Sequence, residues 1–289
     1  MVKGYGKGYG KVILFGEHFV VHGYDAIVAS LPSLRTVIEV EEGEWNSNLE
    51  EKVISAFKSV LKALGVKDKS FKVIIKETVP IGQNLGSSAA LNVAFARAVN
   101  EALNLGKNEE DINKAAWEGE VLFHGTPSGI DNSAATYGKP LIFKRLGSGK
   151  FSIKPFNTGN DLHLLIVSTG INLKTTKETV GYVIKRKEEY SKITNDIFKA
   201  YNEVYNEVYN EVYNEAISAI KKGGIDYIGY LMDLDHGLLS AFNLSTNKTE
   251  EARYIINEKG GLGSKITGGG AGGNLVALFP DEKTAKNAA

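Results

Sequence analysis

The chain has 289 residues, enough for one large or two modest hydrophobic cores, since single cores stop growing at about 250 to 300 residues. Its 34 Lys and Arg balance 34 Asp and Glu, so the basic excess of a typical nucleic-acid-binding domain is missing and an anionic membrane surface is a poor partner. There is no cysteine, which excludes disulfide scaffolds, thiol nucleophiles and Cys-ligated zinc, and the start has no apolar signal-peptide core. The expectation is a soluble cytoplasmic protein that binds neither nucleic acid nor membrane.

After a Gly/Tyr/Lys lead, the run Val12 to Phe15 is short, β-branched and bounded by glycine, as in a buried strand. "AIVASL" and "TVIEVEE" read as two further strands. Val53, Phe57, Val60, Leu61 and Leu64 recur at helical spacing and stop at Gly65, which predicts a helix with a glycine C-cap. "FKVIIKETVP" returns to a strand, broken by Pro80. In "PIGQNLGSSAAL", residues 80 to 91, a glycine- and serine-rich stretch feeds a helix whose apolar positions are Leu91, Ala94, Phe95, Ala98 and Val99.

A second helix, "EEDINKAAWEGEVLFHG", is followed by the turn-rich "TPSGIDNSAATYGKPLIF". Apolar patterning lapses between Lys144 and Phe156 and resumes with "LHLLIVST", so the predicted domains are 1–155 and 156–289. Beyond lie a long helical region, a glycine loop at 268–273 and the strand-like "NLVALF". Within the helical region stand four copies of a four-residue unit, "YNEVYNEVYNEVYNEA". A four-residue period drifts by about 40° per copy on a helix, which predicts winding Tyr and Val stripes on a long, partly exposed helix and no fixed core face. The repeat reads as a tolerated expansion or, alternatively, as a tyrosine-built self-association surface.

Several of these residues are suited to chemistry. Amides at a helix N-terminus are unpaired donors at the positive end of the helix dipole, and glycines let an anion approach them. Gly82, Asn84, Gly86, Ser87 and Ser88 therefore form a candidate phosphate loop, with a plain serine N-cap as the alternative. Phosphoryl transfer to an alcohol needs a carboxylate for the hydroxyl proton, oxygen ligands for Mg²⁺ and a cation for developing charge. Asp131, Glu120 with Ser88, and Lys11 could supply these; the alternatives are a turn residue, a solvated helix-end charge and a strand-edge cation. Gly268, Gly270 and Gly273 match G-x-G-x-x-G, but with no evident strand before them and a strand after them the dinucleotide reading fails. What remains is a glycine loop close to a ligand, or a turn.

Taken together, "GKVILFGEHFVVHG", "PIGQNLGSSAAL", "HGTPSGIDNSAATYG" and "KITGGGAGGNLVAL" resemble the motifs of the GHMP small-molecule kinases, in order from about Gly8 to Leu278, and "GEHFVVHG" resembles the mevalonate branch. The resemblance implies an α+β, two-domain architecture, with an N-terminal ribosomal-S5-like domain, a C-terminal ferredoxin-like domain and the active site in the cleft between them. It implies ATP phosphates at Gly82 to Ser88, Mg²⁺ at Ser88 and Glu120, Asp131 as catalytic carboxylate and Lys11 as charge stabiliser. Substrate-binding roles fall to Glu17, His18, one of Thr175 and Thr176, and the glycine loop at Gly269 and Gly270. The implied reaction is transfer from ATP to the 5-hydroxyl of mevalonate, in an enzyme commonly dimeric. Another acceptor such as phosphomevalonate, or a relative that binds ligands without turnover, stays open. Three departures from the family pattern stand out: Asn84 where glycine is usual, alanine late in the third motif at Ala271, and an end at "DEKTAKNAA" where relatives usually continue through a helix and a closing strand.

Overall fold

The computed structural model describes residues 3–125, 127–146, 151–156, 161–174, 176–214 and 224–289. They form two compact units: one of the residues up to Val12 and Val28–Leu141, the other of Ile13–Ile27 with the described residues from Ile142 onward. A cut at 155/156 does not follow these units. Strands β1 (Lys3–Phe15) and β2 (Ala26–Glu42) each pass from one unit into the other, so the segment joining them belongs to the second.

β1 is longer than its apolar run predicts, because the Gly/Tyr/Lys lead is strand as well. Gly4, Gly6 and Gly8 alternate with exposed residues and lie under helix α2 (Ser87–Ala102). A Cβ at these positions would stand 2.1 Å from the Ala98 carbonyl oxygen, 1.9 Å from that of Ala94 and 2.0 Å from that of Ala90. Four helical residues rise about 6 Å and two strand residues about 6.6 Å, so alanines at every fourth helix position stay in step with glycines at every second strand position. Strand and helix backbones thus meet directly, and this contact seats the start of α2.

The two strands expected at 26–31 and 36–42 are one, β2, which continues through the exposed Pro32. Helix α1 (Glu51–Leu64) ends as predicted at Gly65, left-handed at φ 80° with its amide on Leu61 and Lys62. β3 (Phe71–Glu77) pairs antiparallel with β2, from Val37 opposite Glu77 to Glu42 opposite Phe71. Helix α3 (Glu109–His124) opens on a capping box between Asn108 and Asp111. The turn-rich segment after it holds a short helix, α4 (Ile130–Tyr137), before β4 (Leu141–Arg145) and β5 (Phe151–Pro155). The larger sheet has the order β1-β2-β4-β5, with β3 also on β2. Phe57 and Phe95 stack at 3.9 Å in the core of the first unit.

In the second unit, β6 (His163–Asn172) leads to α5 (Thr176–Glu189), α6 (Ser191–Asn214), α7 (Gly224–Ala241), α8 (Asn247–Glu258), β7 (Gly263–Thr267), β8 (Gly272–Phe279) and α9 (Glu282–Ala288). The sheet is antiparallel with order β6-β8-β7. The tyrosine repeat corrects its expectation: Tyr201, Val204, Tyr205 and Val208 are all buried, and Tyr201 stacks on Phe19 at 3.8 Å. Over two copies a drift of about 40° per copy stays inside the width of an ordinary apolar helix stripe, so the pattern does make a core face here. Neither tyrosine is free for self-association; the side chains of the later copies lie outside the described residues. Among the described residues no helix is long and apolar enough to cross a membrane.

Candidate active site

In the first unit, the predicted phosphate loop is a chain of left-handed residues, Gly82 at φ 78°, Asn84 at 56° and Gly86 at 76°. Gly86, not a serine, is the N-cap of α2, so Ser87 and Ser88 open the helix with their hydroxyls uncommitted to capping. The Lys11 amide donates to the Leu85 carbonyl at 3.0 Å, fixing the loop to β1. The Lys11 stem crosses the face of Gly86, where a Cβ would lie 3.1 Å from its Cγ. Its ammonium, 9% exposed, reaches Asp131 Oδ1 at 3.0 Å, and Asp131 stands in the first turn of α4 with its side chain 37% open.

Glu120 is no solvated helix-end charge: it is 1% exposed. Ser88 Oγ donates to its Oε2 at 3.1 Å and Asn92 Nδ2 to its Oε1 at 3.0 Å. Burial first, and then the nearby Asp131, push its carboxyl up to about 7, against the opposing pull of Ser88, Asn92 and Lys11. Loop, ammonium, exposed carboxylate and buried carboxylate therefore converge within one unit.

The second unit holds the remaining predicted residues. His18, at φ 61° and 4% exposed, donates from Nε2 to the Gly269 carbonyl at 2.9 Å, while its buried Nδ1 has no hydrogen-bond partner among the described residues. Burial lowers its imidazole below the ordinary value. Glu17 is shut away, its side chain 0% exposed, with Lys265 Nζ at 2.5 Å; Lys265 also lies 3.4 Å from Asp235 Oδ2. Thr175 lies outside the described residues, and Thr176 begins α5. The glycine loop joins two strands after all: β7 was obscured in the sequence by the lysine in "GSKIT", and with Thr267 opposite Asn274 the loop turns between antiparallel partners. The dinucleotide reading still fails, because no helix follows.

Asp235 supplies a pH test. Burial raises its carboxyl from 3.8 to about 7 in the folded chain, so the folded state holds that proton more tightly than the unfolded one. Stability from this group is present in acid and is lost as pH rises from about 4 through about 7. Denaturant midpoints at pH 5 and pH 8 are expected to show Asp235→Asn gaining on the parent at the higher pH; an equal difference at both would contradict the burial cause.

Sequence reasoning missed Asn92, His124, Asp235 and Lys265. Asn92 carried a signal, being polar on an apolar helix face four residues after Ser88; Gly119 makes room for it, since a Cβ there would lie 2.5 Å from its Oδ1. His124 Nε2 is 3.3 Å from Ser88 Oγ and 3.6 Å from Glu120 Oε2. Asp235 shares α7 with Asp226 and Asp233, and Lys265 stands between Ser264 and Ile266 in the short β7, so neither is distinguishable in the sequence from a surface residue.

Comparison with known proteins decides the family. The GHMP kinases N terminal domain matches residues 51–139, and the GHMP kinases C terminal domain matches residues 216–289. The mevalonate kinase of Pyrococcus furiosus is 33% identical over 94% of this chain and 88% of its own length. The chain belongs to the mevalonate kinase family of the GHMP kinases. The mevalonate kinase of Aeropyrum pernix is 31% identical over 94% of this chain and 87% of its own length. A crystal structure of L. major mevalonate kinase in complex with R-mevalonate superposes with a TM-score of 0.84 at 34% identity, covering 99% of this chain and 90% of that one. The fold is the two-domain α+β architecture of GHMP kinases.

Within this mevalonate kinase family member, the departures from the usual motifs are accommodated locally. Asn84 takes its left-handed conformation as the non-glycine residue that best tolerates it. Ala271 is also left-handed, at φ 57°, and its amide donates to the Leu244 carbonyl.

Proposed function

We propose that this chain transfers the γ-phosphoryl group of ATP to the 5-hydroxyl of mevalonate, with Asp131 as the catalytic carboxylate. The observation that carries this reading is the Lys11–Asp131 pair at 3.0 Å beside the Gly86 start of α2, in a chain of the mevalonate kinase family. The loop from Gly82 to Ser88 offers helix-terminal amides to the phosphates. Asp131 is open enough to take the acceptor hydroxyl proton, and Lys11, held by β1, balances charge on the transferring group. His18, Gly269 and Gly270 are proposed to meet mevalonate, with Glu17 beside His18 in the substrate segment and one of Thr175 and Thr176 as a substrate-side threonine.

Ser88 and Glu120 fit Mg²⁺. Their oxygens are 3.1 Å apart, and the buried Glu120 carboxylate has Asp131 as a like-charged neighbour, so a cation would relieve the repulsion. Among the described residues no group of three or more His, Cys, Asp or Glu is disposed to hold a metal, so Ser88 and Glu120 are the side chains proposed to hold the ion. Bound there, the ion would neutralise phosphate charge.

A coupled assay of purified protein with ATP, Mg²⁺ and a panel of mevalonate, phosphomevalonate and galactose at equal concentration tests the reading. Turnover is expected with mevalonate at least about a hundredfold above the others, since a site built to bond specific polar groups rejects ligands lacking them. Preference for another alcohol would replace the acceptor, and no turnover with any would leave a binding protein.

A further inference from the structure

Two carboxylates and one ammonium are sealed inside the second unit: Glu17, Asp235 and Lys265, each with a side chain 0% exposed. Glu17 Oε2 is committed there to an ion pair and not left for a substrate group. Lys265 Nζ donates to Glu17 Oε2 at 2.5 Å and to the Ile266 carbonyl at 2.8 Å. Lys265 lies on β7, four residues before Gly269, and Gly269 accepts the His18 hydrogen bond. One ammonium therefore links the residue just before His18 to the strand that leads into His18's own acceptor. Thr267 adds a second tie of the same kind, its hydroxyl donating to the Ile13 carbonyl at 3.2 Å.

The turn so held is a costly one. His18 sits at φ 61°, and left-handed backbone at a non-glycine residue is strained and persists only where its surroundings impose it. On one side Phe19 is stacked on Tyr201; on the other, the ion pair grips Glu17. We infer that Lys265 is a positioning residue for the acceptor substrate: through Glu17 it holds the strained turn that carries His18, while β7 carries the glycine loop on which His18 Nε2 is anchored. Glu17 acts through this link and not by contact with substrate. The inference rests on the proposal that His18 meets mevalonate.

Three variants test it: Glu17→Gln, Lys265→Met, and the double variant Glu17→Gln/Lys265→Met. Lys265→Met alone leaves two buried carboxylates uncompensated and can fail to fold; the double variant leaves only Asp235, and Glu17→Gln keeps Lys265 paired with it. Each folded variant is expected to raise KM for mevalonate by about tenfold or more and to leave KM for ATP within about twofold, because a displacement of about 1 Å at a substrate-binding group has effects of this size. A folded double variant with an unchanged KM for mevalonate, or with KM for ATP raised as much, overturns the inference. A second readout needs no turnover: nitrogen-15 NMR of the ligand-free protein is expected to show His18 as the single Nε2–H tautomer in the parent and as a shifted or averaged signal in Glu17→Gln. An identical His18 signal in both also overturns it. Should the parent fail to phosphorylate mevalonate, the proposed function falls while the NMR comparison still decides the positioning role.

Discussion

Asp131→Asn is expected to lower kcat for mevalonate by about 10²- to 10⁴-fold, the range a positioned general base contributes, with KM for ATP and mevalonate changed by no more than about threefold. The asparagine has the shape of the aspartate and can still accept from Lys11, which lies at 3.0 Å, but it cannot take up the hydroxyl proton. The Asp131 side chain is 37% exposed and caps nothing, so the thermal midpoint should hardly move. A loss of kcat with intact stability would place the defect in the chemical step. Steady-state kinetics with saturating Mg²⁺ decide it, and undiminished turnover would remove Asp131 from the mechanism. Removing Lys11 instead would confound the result, because its stem also packs on Gly86.

The second large effect is structural. Gly6→Val is expected to destabilise the chain by about 3 kcal/mol or more, since the new Cβ would fall 1.9 Å from the Ala94 carbonyl oxygen and 2.6 Å from the Ala98 amide nitrogen. Both atoms belong to helix backbone, so no rotamer change relieves the overlap; α2 must lift from β1. Any folded fraction should bind ATP more weakly, because α2 begins at the phosphate loop. Gly237→Ala, in α7, is the control: a Cβ there meets nothing within 4 Å, and the change should be neutral or stabilising by up to about 1 kcal/mol. Urea denaturation midpoints of the two variants measure the contrast, and a Gly6→Val variant as stable as the parent would show that strand and helix are not in direct contact.

Much of the local structure was legible in the sequence. The apolar spacing of α1 and its glycine stop, the glycine- and serine-rich loop before α2, and the four ordered motif segments were all readable, because each depends on neighbours within a few residues along the chain. The Gly4, Gly6, Gly8 alternation was equally present, yet a strand pattern written in glycine carries no hydrophobic signal and passed as a flexible lead. In the same way the short apolar content of "GSKIT" concealed β7.

By itself the sequence determined helices α1, α2 and α3 and where glycines permit left-handed backbone, and it singled out the residue types proposed for phosphate, proton and metal. Only the tertiary structure decided who meets whom. It put Lys11 on Asp131 across 120 positions of chain, buried Glu120 beside Ser88 and Asn92, turned the first tyrosines of the repeat into core, and enclosed Glu17 with Lys265. The physical reason is that burial and partnership are properties of packed surfaces: a lone charge has the same local sequence signature whether water or an opposite charge will satisfy it.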